Sequence, residues 1–379
     1  MKIVLVGGGT GGHFYPLIAV AEAIEEIVEE RVLIEPEITY IGPAPFDEVA
    51  LLEHNITYVH SSAGKMPRDS KIPNPFLMLK IVFGTVHSLI RLFRLYPDVI
   101  FSTGGYAAFP TLYAARILNI PVIIYDADAT PGRVSLWSAK FARWIAVAHP
   151  EATEHFPKSL YERIANTGHP IRRAIEHPAP EGGHEFLKID PSVPSVFVLG
   201  GSQGAQAINS VVLDALPTLL ERYNVVHQAG SANVEEINEL ISVILKDSPH
   251  RNRYRIFGLL NTLALRMTAG ITSLIVSRAG SGAIFEIASW RIPSIIVPIP
   301  TEISHDQTEN AFSYARAGAA VVIEQRNLTP HLLTAEIARI LDNAELQNKM
   351  REAAASFARP DAAKKIAKIL IETALEHEN

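Results

Sequence analysis

Lys2-Ile3-Val4-Leu5-Val6-Gly7-Gly8-Gly9-Thr10-Gly11-Gly12-His13 follows the initial methionine and sets the reading of the whole chain. Its apolar run is only four residues long, Ile3 to Val6, before glycine intervenes. That is too short for the core of a signal peptide and reads as a buried strand. The glycines permit a tight turn and let backbone N–H groups approach an anion, and the helix expected next adds the positive end of its dipole. Gly7, Gly9 and Gly12 fit G-x-G-x-x-G, a dinucleotide fingerprint that is weak when alone. A dinucleotide site also needs an acid at the tip of the second strand. Here Glu35 and Glu37 precede that strand and its tip is Gly42-Pro43, which argues against NAD and leaves a plain structural turn as the alternative.

Outward from this stretch, short Val/Ile/Leu runs alternate with helical patterns, the signature of parallel sheets covered on both faces. The first half predicts strands at Lys2–Val6, Ile38–Ile41, Ile56–His60, Val99–Ser102, Pro121–Tyr125 and Trp144–Ala148. The second predicts Val196–Leu199, Asn224–Gln228, Tyr254–Phe257, Ser273–Ser277, Ser294–Pro298 and Ala320–Ile323. The fold class is therefore α/β, with two doubly wound, Rossmann-like domains at residues 1–160 and 194–357. Pro170, Pro178, Pro180, Gly182, Gly183, Pro191 and Pro194 mark residues 161–193 as the linker. Residues 358–379 form a final helix whose apolar stripe could pack on either domain.

Composition agrees. At 379 residues, 48% hydrophobic and 20% charged, the chain can fill two cores. Its net charge of −6 disfavours a nucleic-acid partner. With no cysteine, disulfides, thiolate catalysis and Cys-ligated zinc are excluded, and a reducing compartment is the natural reading. No run of apolar residues is long enough to cross a membrane.

Three more glycine clusters follow predicted strands: Gly104-Gly105-Tyr106, Gly200-Gly201-Ser202-Gln203-Gly204-Ala205, and Arg278-Ala279-Gly280-Ser281-Gly282-Ala283. Ligands of open α/β sheets bind at that strand edge. Four clusters so placed point to a phosphate-bearing ligand. His13, at a helix start, suits a general base, since imidazole titrates near neutrality as a rule; a packing histidine is the alternative. Glu286 suits two ribose hydroxyls and Arg172 suits phosphate, against a helix-face glutamate and a salt bridge. His305-Asp306 alone is a poor metal pair, and there is no HExxH and no paired Asp-x-Asp ligand run in the glycine-loop region, so no obligatory protein-bound metal and no cofactor are expected. Residues 64–95 carry six basic residues against the single acid Asp69, on a strongly apolar segment. A face for anionic lipid would explain this local reversal of charge, but on the residues alone a domain helix with a solvated basic stripe is the favoured reading.

Gly8-Gly9-Thr10-Gly11-Gly12-His13-Phe14-Tyr15-Pro16, Gly104-Gly105-Tyr106, Gly200 to Ala205, Arg278-Ala279-Gly280 and Gln307-x-x-Asn310-Ala311 occur in an order that closely resembles the MurG-type UDP-N-acetylglucosamine transferases. The resemblance runs from residue 1 to about 357. It implies a GT-B fold with two domains facing across a cleft. It implies inverting transfer of GlcNAc from UDP-GlcNAc to the muramoyl 4-hydroxyl of lipid I, giving lipid II for peptidoglycan, without a dedicated metal motif. By position, His13 matches the histidine often proposed as base, and Thr10, Gly11 and Gly12 match the loop at sugar and acceptor. Ser202 and Arg172 match residues at the diphosphate, and Leu260 one whose backbone meets uracil. Ser281, Gly282, Ala283, Ile284, Phe285 and Glu286 match the nucleotide loop, with Glu286 on the ribose, and Gln307 matches a sugar-binding glutamine. Where the family has His-Glu-Gln-Asn this chain has Tyr125-Asp126-Ala127-Asp128, so Asp128 replaces an amide at the donor sugar; Gly168-His169-Pro170 replaces Gly-Asn-Pro. The family also implies membrane docking, here through Lys71, Phe76, Leu79, Lys80, Phe83, Arg91 and Arg94. The place implied is the cytoplasmic face of the bacterial plasma membrane, peripherally, with cell-wall synthesis proteins as further partners. The rival readings are a GT-B enzyme with another lipid acceptor, a nucleotide-sugar epimerase, and a catalytically silent nucleotide-sugar-binding protein.

Overall fold

The computed structural model describes residues 1–8, 10–61, 75–201, 204–300 and 307–378, with the backbone alone for 75–80 and 377–378. The chain forms two compact units, Met1–Arg173 with Arg359–Asn379, and Ala174–Ala358.

The first unit holds β1 (Lys2–Val6), β2 (Glu37–Gly42), β3 (Thr57–His60), β4 (Val99–Ser102), β5 (Val122–Asp126), β6 (Trp144–Val147) and β7 (Ile164–Asn166). They form one sheet in the order β3-β2-β1-β4-β5-β6-β7, with every neighbouring pair parallel. The order reverses between β1 and β4. The second unit holds β8 (Ser195–Leu199), β9 (Asn224–Gln228), β10 (Tyr254–Phe257), β11 (Thr272–Arg278), β12 (Ser294–Val297) and β13 (Ala320–Val322). Its order, β10-β9-β8-β11-β12-β13, is again all parallel and reverses between β8 and β11.

The buried strands are apolar on both faces because both faces are covered. Val196 and Val198 of β8 enter one core with Val225, Leu274, Val276 and Ile295. Phe197 and Leu199, pointing the other way, enter a second core with Val226, Ile275, Ile296 and Tyr314. This alternation is the period of two that a strand imposes.

All twelve expected strands are present within a residue or two, and β7 is additional. It has three residues inside the Pro/Gly-rich stretch read as linker, and it owes its structure to pairing with β6. Residues 161–193 are therefore divided: those up to Arg173 belong to the first unit and those from Ala174 to the second. The C-terminal helix, Ala362–Glu378, belongs to the first unit. Ile366, Ala367, Leu370, Ile371 and Ala374 are fully buried. Each large aliphatic side chain in that stripe contributes about 1.5–3 kcal/mol. Lys364 pairs with Glu26 on the first helix, α1 (Gly11–Glu30), and Glu26 also pairs with Arg173. The outgoing and returning chain segments are thus tied to one carboxylate. They also meet directly: Gly168 has φ +85°, and a Cβ there would lie 2.3 Å from Cβ of Arg359.

Candidate active site

Open α/β sheets bind ligands at the carboxyl ends of their strands where strand order reverses. All four glycine clusters lie at such places. Two flank β1 and β4 in the first unit and two flank β8 and β11 in the second.

In the first unit β1 ends at Val6, and Gly7 and Gly8 lead toward α1. Tyr40, buried at the tip of β2, donates its hydroxyl to the Gly7 carbonyl at 2.9 Å. A Cβ at Gly8, where φ is +115°, would lie 2.3 Å from that hydroxyl, so glycine is required. Thr10 caps α1 in extended conformation, and its carbonyl accepts from the His13 and Phe14 N–H groups at 3.1 Å each. Gly11 packs on Phe46 and Tyr15, while Gly12 is exposed. His13 is part-buried, with Nδ1 2.9 Å from the Thr103 carbonyl oxygen. A carbonyl only accepts, so Nδ1 carries the proton and Nε2 of the neutral ring carries the lone pair. Nε2 faces the backbone of Gly105, where a Cβ would lie 3.5 Å away. The imidazole thus bridges the β1 and β4 loops at the reversal point.

Arg172 lies in the first unit. Its guanidinium stacks over the Tyr15 ring of α1 at 3.6 Å. Its Nε is buried without a hydrogen-bond partner among the described residues. A stacked, oriented guanidinium with a spare buried donor suits an anion.

Further along this edge lies a buried polar group that was not legible in the sequence. The Tyr125 hydroxyl and His169 Nδ1 share a hydrogen bond of 2.7 Å. His169 is held down to about 3 and His149 to about 4, in each case chiefly by burial. Asp126 accepts from the Asp128 N–H at 3.2 Å and the Gly132 N–H at 3.1 Å. Burial, and then the charge of Asp128, push Asp126 up to about 7. Asp128 is thus placed beside a second carboxyl, in a turn pinned by Asp126.

In the second unit Gly200 and Gly201 follow β8, and Gly204 precedes the helix Gln206–Arg222; Ser202 lies outside the described residues. Gly204 has φ +74°, and a Cβ there would lie 2.2 Å from the Ala229 carbonyl. Across the reversal, Gly280 caps the helix Ser281–Trp290. Ile284 and Phe285 are core residues, so only their backbone can meet a ligand; Gly282, Ala283 and Glu286 lie on the partly exposed side. Gln307 accepts from the Ile299 N–H through Oε1 at 3.4 Å, which turns Nε2 toward Gly280, where a Cβ would lie 3.8 Å away. Buried Asn310 donates to the Ala279 carbonyl at 3.2 Å, and Arg278 donates to the Val297 and Pro298 carbonyls at 3.3 and 3.4 Å. These last two residues stood in quoted motifs without a role; the structure makes them the frame of this loop. The Leu260 N–H donates to Gln228 Oε1 at 2.9 Å, which fixes the backbone just beyond the end of β10.

The lipid-facing assignment falls on the helix Pro75–Leu95. Val82, Phe83, Val86, Ile90 and Phe93 are exposed, and Phe83 and Phe93 are 68% and 70% accessible. Arg94 is exposed; Arg91 donates to the His60 carbonyl. Lys71 and the side chains of Phe76, Leu79 and Lys80 lie outside the described residues. Among the described residues no helix is long and apolar enough to cross a membrane, and no three His, Asp or Glu gather as a metal site.

Residues 3–147 match the glycosyltransferase family 28 N-terminal domain, and residues 195–366 match the glycosyltransferase family 28 C-terminal domain. A UDP-N-acetylglucosamine--N-acetylmuramyl-(pentapeptide) pyrophosphoryl-undecaprenol N-acetylglucosamine transferase of Treponema denticola is 33% identical over 87% of this chain and 85% of its own length. The chain belongs to the MurG transferase family. A Bacillus cereus enzyme of the same name is 34% identical over 91% of this chain and 93% of its own. The crystal structure of MurG from Acinetobacter baumannii superposes with a TM-score of 0.72 at 25% identity, covering 98% of this chain and 99% of that one. Two all-parallel α/β units are the GT-B fold of that family.

Proposed function

We propose that this protein transfers GlcNAc from UDP-GlcNAc to the muramoyl sugar of pyrophosphoryl-undecaprenol-linked lipid I, giving lipid II. The observation that carries this reading is the match of both units, almost end to end, to relatives named for that transfer. The 4-hydroxyl oxygen of the acceptor forms a bond to the anomeric carbon as the bond to the UDP oxygen breaks on the opposite face, so the centre inverts. The hydroxyl proton passes to Nε2 of His13, directly or through water. Charge growing on the diphosphate is met by N–H groups at the helix starts after Gly200–Ala205 and Gly280, and by Arg172. Glu286 accepts from the ribose, the Leu260 backbone meets the uracil, and Gln307 and Asp128 meet the sugar. As a carboxylate, Asp128 accepts from a hydroxyl where an amide would also donate.

The exposed apolar face of Pro75–Leu95, with Arg94 beside it, is proposed to seat the protein peripherally on anionic lipid, at the cytoplasmic face where the acceptor is anchored. This reading needs no resident metal, because donors of the chain itself neutralise the leaving group. Turnover should persist in excess EDTA; its abolition, restored by a divalent cation, contradicts that part.

UDP release from UDP-GlcNAc, measured with and without a lipid I analogue, tests the activity. Acceptor-dependent release with a disaccharide-lipid product supports the transfer. Release indifferent to acceptor is hydrolysis, and tight UDP binding without release is a silent binding protein.

A further inference from the structure

We propose that Thr103 is a positioning residue for this reaction, clamping His13 by two opposed hydrogen bonds so that Nε2 faces the acceptor as the lone-pair nitrogen. The proposal rests on His13 being the base.

Thr103 is the first residue beyond β4, and its N–H continues the sheet ladder by donating to the Val6 carbonyl at 3.1 Å. That bond fixes its backbone relative to β1. The Thr103 carbonyl then accepts from His13 Nδ1 at 2.9 Å. Its hydroxyl donates to the His13 carbonyl at 2.7 Å. One residue therefore holds the histidine by ring and by backbone. A single bond to Nδ1 would leave the ring free to swing about its own backbone; the second bond removes that freedom by anchoring the first turn of α1. The turn beyond is fixed as well, because the Gly104 N–H donates to Ser102 Oγ at 3.1 Å. The threonine is buried, so water does not replace its hydroxyl, and its branched Cβ restricts χ1.

Gly7 supports the same conclusion. A Cβ at Gly7 would lie 2.2 Å from Thr103 Oγ1 and 3.3 Å from the His13 carbonyl oxygen. The missing side chain at Gly7 thus makes room for the threonine hydroxyl and its bond. The first glycine of the loop serves the clamp.

Positioning matters because a base misplaced by about 1 Å can cost on the order of 100-fold in rate. Thr103→Val keeps shape and carbonyl and removes only the hydroxyl. Its kcat should fall by about 10- to 100-fold, with KM for UDP-GlcNAc unchanged, and Thr103→Ser should recover most of the loss. In a His13→Ala background, Thr103→Val should add nothing. Nitrogen-15 spectra of the His13 ring, assigned by their loss in His13→Ala, should show the Nδ1-protonated tautomer in the native protein and a mixture in Thr103→Val. Wild-type kcat in Thr103→Val, or an equal fractional loss with and without His13, overturns the clamp. Wild-type kcat in His13→Ala overturns the base assignment instead, so the two failures are separable.

Discussion

At the β1–β4 reversal a glycine loop runs into α1 and meets an imidazole, with a stacked arginine near and a buried cluster of two histidines, a tyrosine and an aspartate further along the edge. At the β8–β11 reversal a glycine loop runs into Gln206–Arg222 and meets amides and backbone: Gln307 turned toward Gly280, Asn310 on Ala279, Gln228 on Leu260. The architecture is the same and the chemistry differs. The first edge carries an imidazole able to exchange a proton, whereas the second presents amides, backbone N–H groups and the carboxylate of Glu286. A shared topology thus supplies two anion-ready edges, and the side chains after each loop decide which one binds and which one reacts.

Substitutions at each edge can break that division. His13→Ala should lower kcat by about 100- to 10,000-fold, the usual share of a general base; steady-state turnover with saturating donor and acceptor reads it. Glu286→Ala should weaken UDP by roughly 10- to 100-fold, the worth of hydrogen bonds to a charged group; calorimetric titration showing unchanged affinity removes the ribose role. Phe83→Ser should reduce binding to vesicles of anionic phospholipid by about tenfold, given the transfer energy of one aromatic side chain, while turnover on a water-soluble acceptor stays the same. Equal sedimentation of variant and native protein speaks against a lipid-facing helix.

The buried cluster of the first unit predicts a pH effect. His149 and His169 are depressed from 6.5 to about 4 and about 3. Between those values and 6.5 the unfolded chain takes up protons that the folded one refuses, so their stabilisation is lost as pH falls. Asp126, raised from 3.8 to about 7, acts oppositely, because its proton is held in the folded state and the stability it brings is lost as pH rises toward 7. Two groups outweigh one, so stability of the first unit should decline from pH 6.5 toward 4. His169→Asn should flatten that decline in urea midpoints; an unchanged slope contradicts it.

Much of this was legible beforehand, because a buried parallel strand needs a continuous apolar run and a phosphate loop needs glycine. His13 and Gly280 could be singled out for the same reason, since each stands in or next to a glycine loop, whereas Gln307 is singled out by the family resemblance alone. β7 could not, as three residues between prolines gain their structure from β6. The Tyr125–His169 bond joins residues 44 apart, and the Lys364–Glu26 pair joins residues 338 apart, with no local pattern for either. Thr103 carries no signal of its own in the sequence; its two bonds to His13 appear only once β4 is set against β1.

The division of labour is tested most directly by titrating UDP-GlcNAc into His13→Ala. An inactive variant whose donor affinity stays within about twofold of the native value, far below the tenfold that 1.4 kcal/mol would bring, is what the account predicts. An inactive variant that has also lost the donor would contradict it, because His13 would then be part of the nucleotide-sugar site.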